Sequence, residues 1–239
     1  MILRESSKPC EFVTVTPNAE KHIVYCARVS SPSNQTNELT APRLIQFLIK
    51  HGHWSPFEQS FMTVEINTTR AISNQILRHD FHFQEFSQRY ADVKELGAPV
   101  MPILRKQGKT NRQGSTDDLD PKLKKNYTRR ISQLYEDSMH LYQEMVSNGV
   151  ATECARGILP LNIPSRIYCT GSVRNFMFYI MVRRRKDTQY EHRIIIEHLE
   201  EIFKEQFPVI WEACNAMNWN LHVEDIKPLP ESRHPIRIQ

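Results

Sequence analysis

Between Pro121 and Asn148 the residues Tyr127, Ile131, Leu134, Leu141, Met145 and Val146 recur at helical spacing, and Gly149 follows as a C-terminal stop. No other stretch commits the chain so firmly, because a long amphipathic helix is stable only with a body to pack against. Shorter helical patterns supply that body. Ala19 to Val29 reads as a helix with Ile23, Tyr25 and Cys26 available for burial. Thr40 can cap a second helix, which carries Leu44, Phe47 and Leu48 and stops at Gly52. Arg70 to Arg78 is a short helix with Ile72, Ile76 and Leu77 apolar, and another runs through Ala155 and Arg156. Ser172 can cap a helix from Val173 to about Arg185, and a further one runs from Thr188 to Phe207, ended by Pro208. Only Phe61 to Thr68 alternates, with Met62, Val64 and Ile66 set against Thr63, Glu65 and Asn67, the period of a half-buried strand. The sum is a helix-rich α+β chain with few strands.

At 239 residues the chain supports one sizeable core. We expect a single catalytic domain over residues 1–220 and an irregular tail over 221–239, where Pro228, Pro230 and Pro235 interrupt any regular element. Residues 104–120 hold almost nothing to bury and read as a surface excursion, whose basic first half can meet a phosphate. Hydrophobic content of 40% with 24% charged residues is that of a soluble globular protein. The longest apolar run, Phe176 to Val182, is too short to span a bilayer, and no secretory signal is visible around Arg4, Glu5 and Lys8. Cys10, Cys26, Cys154, Cys169 and Cys214 are scattered and odd in number. That argues against a disulfide framework or a zinc ribbon and for a reducing cytoplasm (a host's, if the chain is viral). The net charge of +4 suits anionic nucleotides and is too small to imply nucleic acid.

Chemistry concentrates in Gln75 to Tyr90, which packs Arg78, His79, His82, Glu85, Ser87 and Arg89 between the aromatic residues Phe81, Phe83, Phe86 and Tyr90. Guanidiniums a few residues apart can each fork onto phosphate oxygens, and Ser87 adds a hydroxyl donor. The bland reading is two surface arginines flanking a buried aromatic turn. His51 to Glu58 places two histidines, a serine and a glutamate past a helix end, where imidazoles also meet backbone carbonyls. Arg156 ends a short helix, where any cation answers the helix dipole. The run Arg183 to Lys186 is by itself an ordinary solvated helix terminus. His79-Asp80 opens a different class, the metal-dependent phosphohydrolases of the His-Asp type, with His51 or His53 as an earlier ligand. No later aspartate stands on a convincing helix face for it.

Taken in order, Ala27-Arg28-Val29-Ser30, His51 to Glu58, Gln75 to Tyr90, Ala155 to Leu161 and Ser172 to Glu191 resemble the motifs of the flavin-dependent thymidylate synthases. Their signature is Arg-His-Arg, seven residues and Ser, continuing into Arg-Tyr. Here Arg78-His79 opens it and Ser87-Gln88-Arg89-Tyr90 closes it, but Asp80 follows His79 and only six residues separate it from Ser87. The resemblance implies an α+β fold with a small antiparallel sheet, a homotetramer with sites shared between subunits, and conversion of dUMP to dTMP. FAD would be the cofactor, with NADPH and methylenetetrahydrofolate as co-substrates. It implies dUMP contacts from Gln75, Arg78, Glu85, Ser87, Gln88, Arg89, Arg156 and Arg183, with Arg183 catalytic at the uracil ring. It implies FAD contacts from His53, Ser55, Arg78, His79, Glu85, Ser172 and Arg174, and no metal, nucleic acid or membrane. A catalytically impaired nucleotide-binding relative is the further alternative. Phe178 and Asp187 stand where the family often has asparagine and histidine.

Overall fold

A computed structural model of the chain describes residues 8–221; apart from Leu221, the expected irregular tail lies outside the described residues. A four-stranded sheet forms the centre, in the order β1 (Cys10–Val15), β2 (Phe61–Thr69), β6 (Pro164–Ser172), β3 (His82–Glu85), every neighbouring pair antiparallel. The longest pairing runs from Phe61 opposite Ser172 to Thr69 opposite Pro164. The alternation of β2 is realised as read: Met62, Val64 and Ile66 are buried, and Ile167 and Cys169 of β6 share the apolar core with them. The opposite face is a polar ladder. Thr63 meets Thr170 at 2.9 Å, the Tyr168 hydroxyl donates to Glu65 at 2.8 Å, and Arg166 donates to Asn67 at 3.0 Å.

Helices α1 (Ala19–Ala27), α2 (Ala41–Lys50), α3 (Arg70–Ile76), α6 (Val173–Arg183), α7 (Tyr190–Gln206) and α8 (Pro208–Ala216) contribute to the core, through residues that include Ile23, Ile45, Ile72, Phe176, Leu199 and Ile210. Several burial expectations move by one position. On α1 it is Ala19, Ile23 and Val24 that are buried while Tyr25 is exposed, and on α2 Ile45, Leu48 and Ile49 are buried while Phe47 is exposed. Thr40 does not cap α2 through its side chain. Its hydroxyl accepts from Arg28, which also donates to the carbonyls of Asn34 and Asn37 and so organises the loop before that helix. The helix expected to end at Pro208 is α7, which stops at Gln206, and the same proline starts α8, because proline fits the first turn, where no backbone N–H is needed.

The long helix is present as α4 (Pro121–Ser147), with the Asp120 carboxylate accepting from the backbone of Lys122 and Leu123. Gly149, at φ 83°, closes its C-terminus, where Val150 N–H reaches the Met145 carbonyl at 2.9 Å. Its apolar stripe divides. Tyr142 is buried with Val93, Ala155 and Ile163 in a small second cluster, whereas Leu123, Tyr127, Leu134 and Leu141 are exposed. The 104–120 excursion is not structureless: β4 (Lys106–Gln107) and β5 (Ser115–Thr116) form a small hairpin, and Gln107 donates to the carbonyls of Arg112 and Gly114. Arg105 ties it to α7 through Glu191 at 2.9 Å. Among the described residues no helix is long and apolar enough to cross a membrane.

Candidate functional site

The shortened signature is absorbed at a three-residue turn. Phe81 N–H bonds to the His79 carbonyl at 3.0 Å, and the chain enters β3 immediately at His82. The Phe81 ring packs close to the backbone of Gly171 in β6; a Cβ there would stand 2.3 Å from the ring. Asp80 turns aside to accept from the Asn175 side chain at 3.1 Å, while His79 Nε2 accepts from Arg183 Nε at 2.8 Å. The two halves of the His-Asp pair therefore serve different partners. Among the described residues no group of His, Cys, Asp or Glu side chains is arranged to hold a metal ion.

Glu85 closes the strand and is fully engaged. Its carboxylate accepts from Arg70 at 2.6 Å, Ser73 at 2.7 Å and Ser165 at 2.7 Å. A carboxylate so held is an anchor between α3 and β6. Beyond it Ser87 and Arg89 are exposed, and Gln88 is buried with its amide nitrogen lacking a hydrogen-bond partner among the described residues. Such an orphan donor is completed by water or ligand. Arg89 pairs with Glu153 at 2.9 Å and its carbonyl accepts from Thr152, which brings α5 (Thr152–Ala155) and Arg156 beside Ser87–Arg89 in the same chain. Arg156 itself has no ion-pair partner among the described residues.

A second group gathers on α3, α6 and α7. Arg183, fixed at Nε by His79, has no other hydrogen-bond partner among the described residues, so its planar Nη pair is free. Arg78 is exposed and likewise carries no ion pair. Gln75 donates to Gln189 at 2.7 Å and faces the buried His192 at 3.4 Å. Burial first, then the charges of Arg183 and Arg78, lower His79 to about 4, so it is a neutral acceptor at neutral pH. No hydrogen bond or ion pair among the described residues joins this group to Ser87, Arg89 and Arg156.

Between α3's end and α6 lies a cleft of about 280 Å³ lined by Glu58, His79, Asp80, Phe81, Arg174, Asn175, Phe178, Tyr179 and Val182. Arg174 pairs with Glu58 at 2.7 Å and lies over the Phe178 ring. Aromatic walls with amide, imidazole and guanidinium groups at the rim fit the flat face and polar edge of an isoalloxazine. The volume is at the low end for ligand sites, so a whole dinucleotide needs further walls. His53 and Ser55 are exposed on the turn leading to Glu58, where Gly52 at φ 68° lets His53 N–H reach the Leu48 carbonyl. Ser172 is 1% exposed and its hydroxyl is committed to the capping box with Asn175. It sets the direction of α6. Asp187 is taken by Arg185, and Arg184 by Glu200 and the Trp219 face, so the basic run is not one surface.

Residues 11–209 match the family model described as thymidylate synthase complementing protein, Thy1. The chain belongs to this family, that of the flavin-dependent thymidylate synthases. A protein of Paramecium bursaria Chlorella virus 1 called "Probable flavin-dependent thymidylate synthase" is 45% identical over 202 residues, covering 84% of this chain and 91% of its own. A flavin-dependent thymidylate synthase of Synechocystis is 46% identical over 198 residues, covering 82% and 88%. A solved UMP/dUMP methylase from Streptomyces cacaoi, bound with 5-Br dUMP, superposes with a TM-score of 0.76 at 27% identity, covering 87% of this chain and 94% of that one.

Within the family frame, thiol attack finds no candidate in the core. Burial raises Cys10 and Cys214 to about 12 and Cys169 higher still. Residues that sequence reading missed are those supporting the site: Arg70, Ser73 and Ser165 around Glu85, and Tyr179, His192 and Gln189 around Gln75. For Ser73, Ser165, Tyr179 and His192 the signal was a polar group at a buried position of a helix or strand.

Proposed function

We propose that this chain converts dUMP to dTMP as a flavin-dependent thymidylate synthase, with methylenetetrahydrofolate as carbon donor and NADPH as reductant. The names of its relatives and the 5-Br dUMP held by its structural neighbour support the substrate class. The observation that carries the chemistry is Arg183. Its Nε is spent on a neutral imidazole, leaving a fixed, unpaired Nη pair. Uracil C5 is a poor nucleophile until negative charge spreads over N3 and the ring carbonyls. A planar cation aimed at that edge stabilises the charge in the manner of an oxyanion site. Neutral His79 holds the guanidinium in place without competing for it electrostatically.

Ser87 and the backbone around it, with Arg156, Arg78 and Arg89, receive the nucleotide phosphate. Ser87 acts as a binding hydroxyl, since no base lies in contact with it to make it a nucleophile. FAD, when bound against Phe178, Arg174 and His79, supplies the hydride; the protein supplies its position. Because no hydrogen bond or ion pair among the described residues joins the side chains of Ser87, Arg89 and Arg156 to that of Arg183, we infer that each site is assembled from more than one copy in a homotetramer. The exposed leucines of α4 offer apolar surface for that contact. The free thiols support action in a reducing cytoplasm.

The test is direct. Purified protein should show oxidised-flavin absorption bands and form dTMP from dUMP with the folate and NADPH. A protein that stays colourless after flavin addition and forms no dTMP overturns this reading; release of deoxyuridine and phosphate instead would revive the phosphohydrolase.

A further inference from the structure

Two buried polar side chains, Tyr179 and His192, head a line of four that runs out through Gln75 to the exposed Gln189. The Tyr179 hydroxyl lies 2.7 Å from His192 Nε2, His192 Nδ1 lies 3.4 Å from Gln75 Oε1, and Gln75 Nε2 donates to Gln189 Oε1 at 2.7 Å. Tyr179 is 2% exposed and His192 is fully buried. An apolar ring at position 179 would also suit the core, since Phe81 already packs edge-on against Tyr179. A buried polar pair is costly unless each group is satisfied in a definite sense, and satisfying it fixes donor and acceptor roles.

Those roles can be assigned. Gln75 gives an N–H to Gln189, so its carbonyl oxygen faces His192, and Nδ1 must carry the proton. Nε2 is then a lone pair, and the Tyr179 O–H donates to it. Every member acts in one direction only: Tyr179 to His192, His192 to Gln75, Gln75 to Gln189. Turned this way, the Gln75 amide has one N–H left over. The same Tyr179 ring also packs edge-on against His79, at 4.6 Å between centroids, which in turn holds Arg183.

We propose that the Tyr179–His192 pair is a positioning device that locks the Gln75 amide with its second N–H toward the nucleotide, so that the site offers a donor and not an acceptor beside Arg183. A pyrimidine carbonyl, which only accepts, fits that arrangement; a ring position carrying N–H does not. The proposal rests on the dUMP reading above and adds a pair of residues that never touch the nucleotide. Tyr179 and His192 act through Gln75 and are positioning residues.

Three variants test it, with dUMP affinity measured by calorimetry on the flavin-loaded protein, KM and kcat measured separately, and thermal midpoints recorded. His192→Phe fills the space but lets the Gln75 amide turn, and should weaken dUMP binding and raise its KM roughly tenfold, the scale of one buried hydrogen bond lost, with kcat changed much less. His192→Asn places an amide N–H where Nδ1 stands and should restore most of the affinity even if its thermal midpoint is lower than that of the Phe variant. Tyr179→Phe should fall between them. In nitrogen-15 spectra of the labelled wild-type protein, His192 should be neutral and protonated at Nδ1. Unchanged dUMP affinity in His192→Phe, an Asn variant no better than Phe, or a proton on Nε2 overturns the proposal while leaving the synthase reading intact. Wild-type protein that fails to bind dUMP overturns both.

Discussion

Lysine at position 183 would keep a cation where Arg183 stands but would lose the fork and the Nε bond to His79 together. Arg183→Lys is therefore expected to lower dTMP formation by roughly a hundredfold or more, the scale of losing an oriented charged donor, while dUMP binding weakens less. Turnover close to wild type in steady-state assays would take Arg183 out of the reaction. Ser87→Ala is a smaller change. It should forfeit one charge-assisted hydrogen bond, on the order of 1.5–3 kcal/mol in dUMP affinity, with activity still detectable at saturating substrate. Complete loss of turnover with intact binding would instead make the hydroxyl a reactant. At this scale the sequence was partly legible. Arg78, Arg156 and Arg183 stand without ion-pair partners among the described residues, which suits binding groups, whereas the Glu85 carboxylate and the Ser172 hydroxyl are engaged within the chain. Charge and spacing reveal that a polar residue matters; only packing reveals whether its polar atoms are already spent.

Among the elements, β6 is the instructive omission from the sequence reading. Its inward positions are Ser165, Ile167, Cys169 and Gly171, and half of them lack an apolar signature. The reason lies in the site itself: Ser165 is there for the Glu85 carboxylate and Gly171 for the Phe81 ring. The long helix, the capped α6 and the alternating β2 were legible because ordinary apolar burial and caps build them. The Phe81–Gly171 contact makes a sharp prediction. Gly171→Ala should destabilise the fold by about 1–3 kcal/mol, the usual cost of overpacking, because the new carbon would overlap the ring and the neighbouring strand pairing gives it nowhere to go. A denaturation midpoint equal to wild type would show that the turn at His79–Phe81 yields more easily than its bonding suggests. Asp80 belongs to the same turn. Restoring the family pattern by inserting arginine after His79 should raise flavin retention through dialysis, read from the visible spectrum; lower retention would mean that the Asp80–Asn175 contact already compensates.

For the molecule as a whole, the buried histidines link stability to pH. His79 is held at about 4 and His192 at about 3, each below the ordinary 6.5, by burial and then by the Arg183 charge. The unfolded chain binds protons that the folded chain refuses. Stability is thus complete above about pH 6.5 and declines as pH falls toward those values. Urea midpoints measured between about pH 7.5 and pH 5 should fall, and the fall should be shallower in His192→Phe; a flat profile in the wild type would contradict the burial of a neutral imidazole. Assembly is tested at α4, where Leu134→Glu should yield a lighter species in sedimentation and loss of dTMP formation together.

The clasp of Arg70, Ser73 and Ser165 on Glu85 has a bearing on motion. It welds the end of β3 to α3 and β6, so the loop proposed to receive the phosphate travels with the helix that carries Gln75. Within one chain there is no slack between them to act as a lid. If the site is shared between copies as proposed, nucleotide entry and exit would be timed by shifts at the seams between them, and the pace of turnover would belong to the assembly more than to any loop of a single chain.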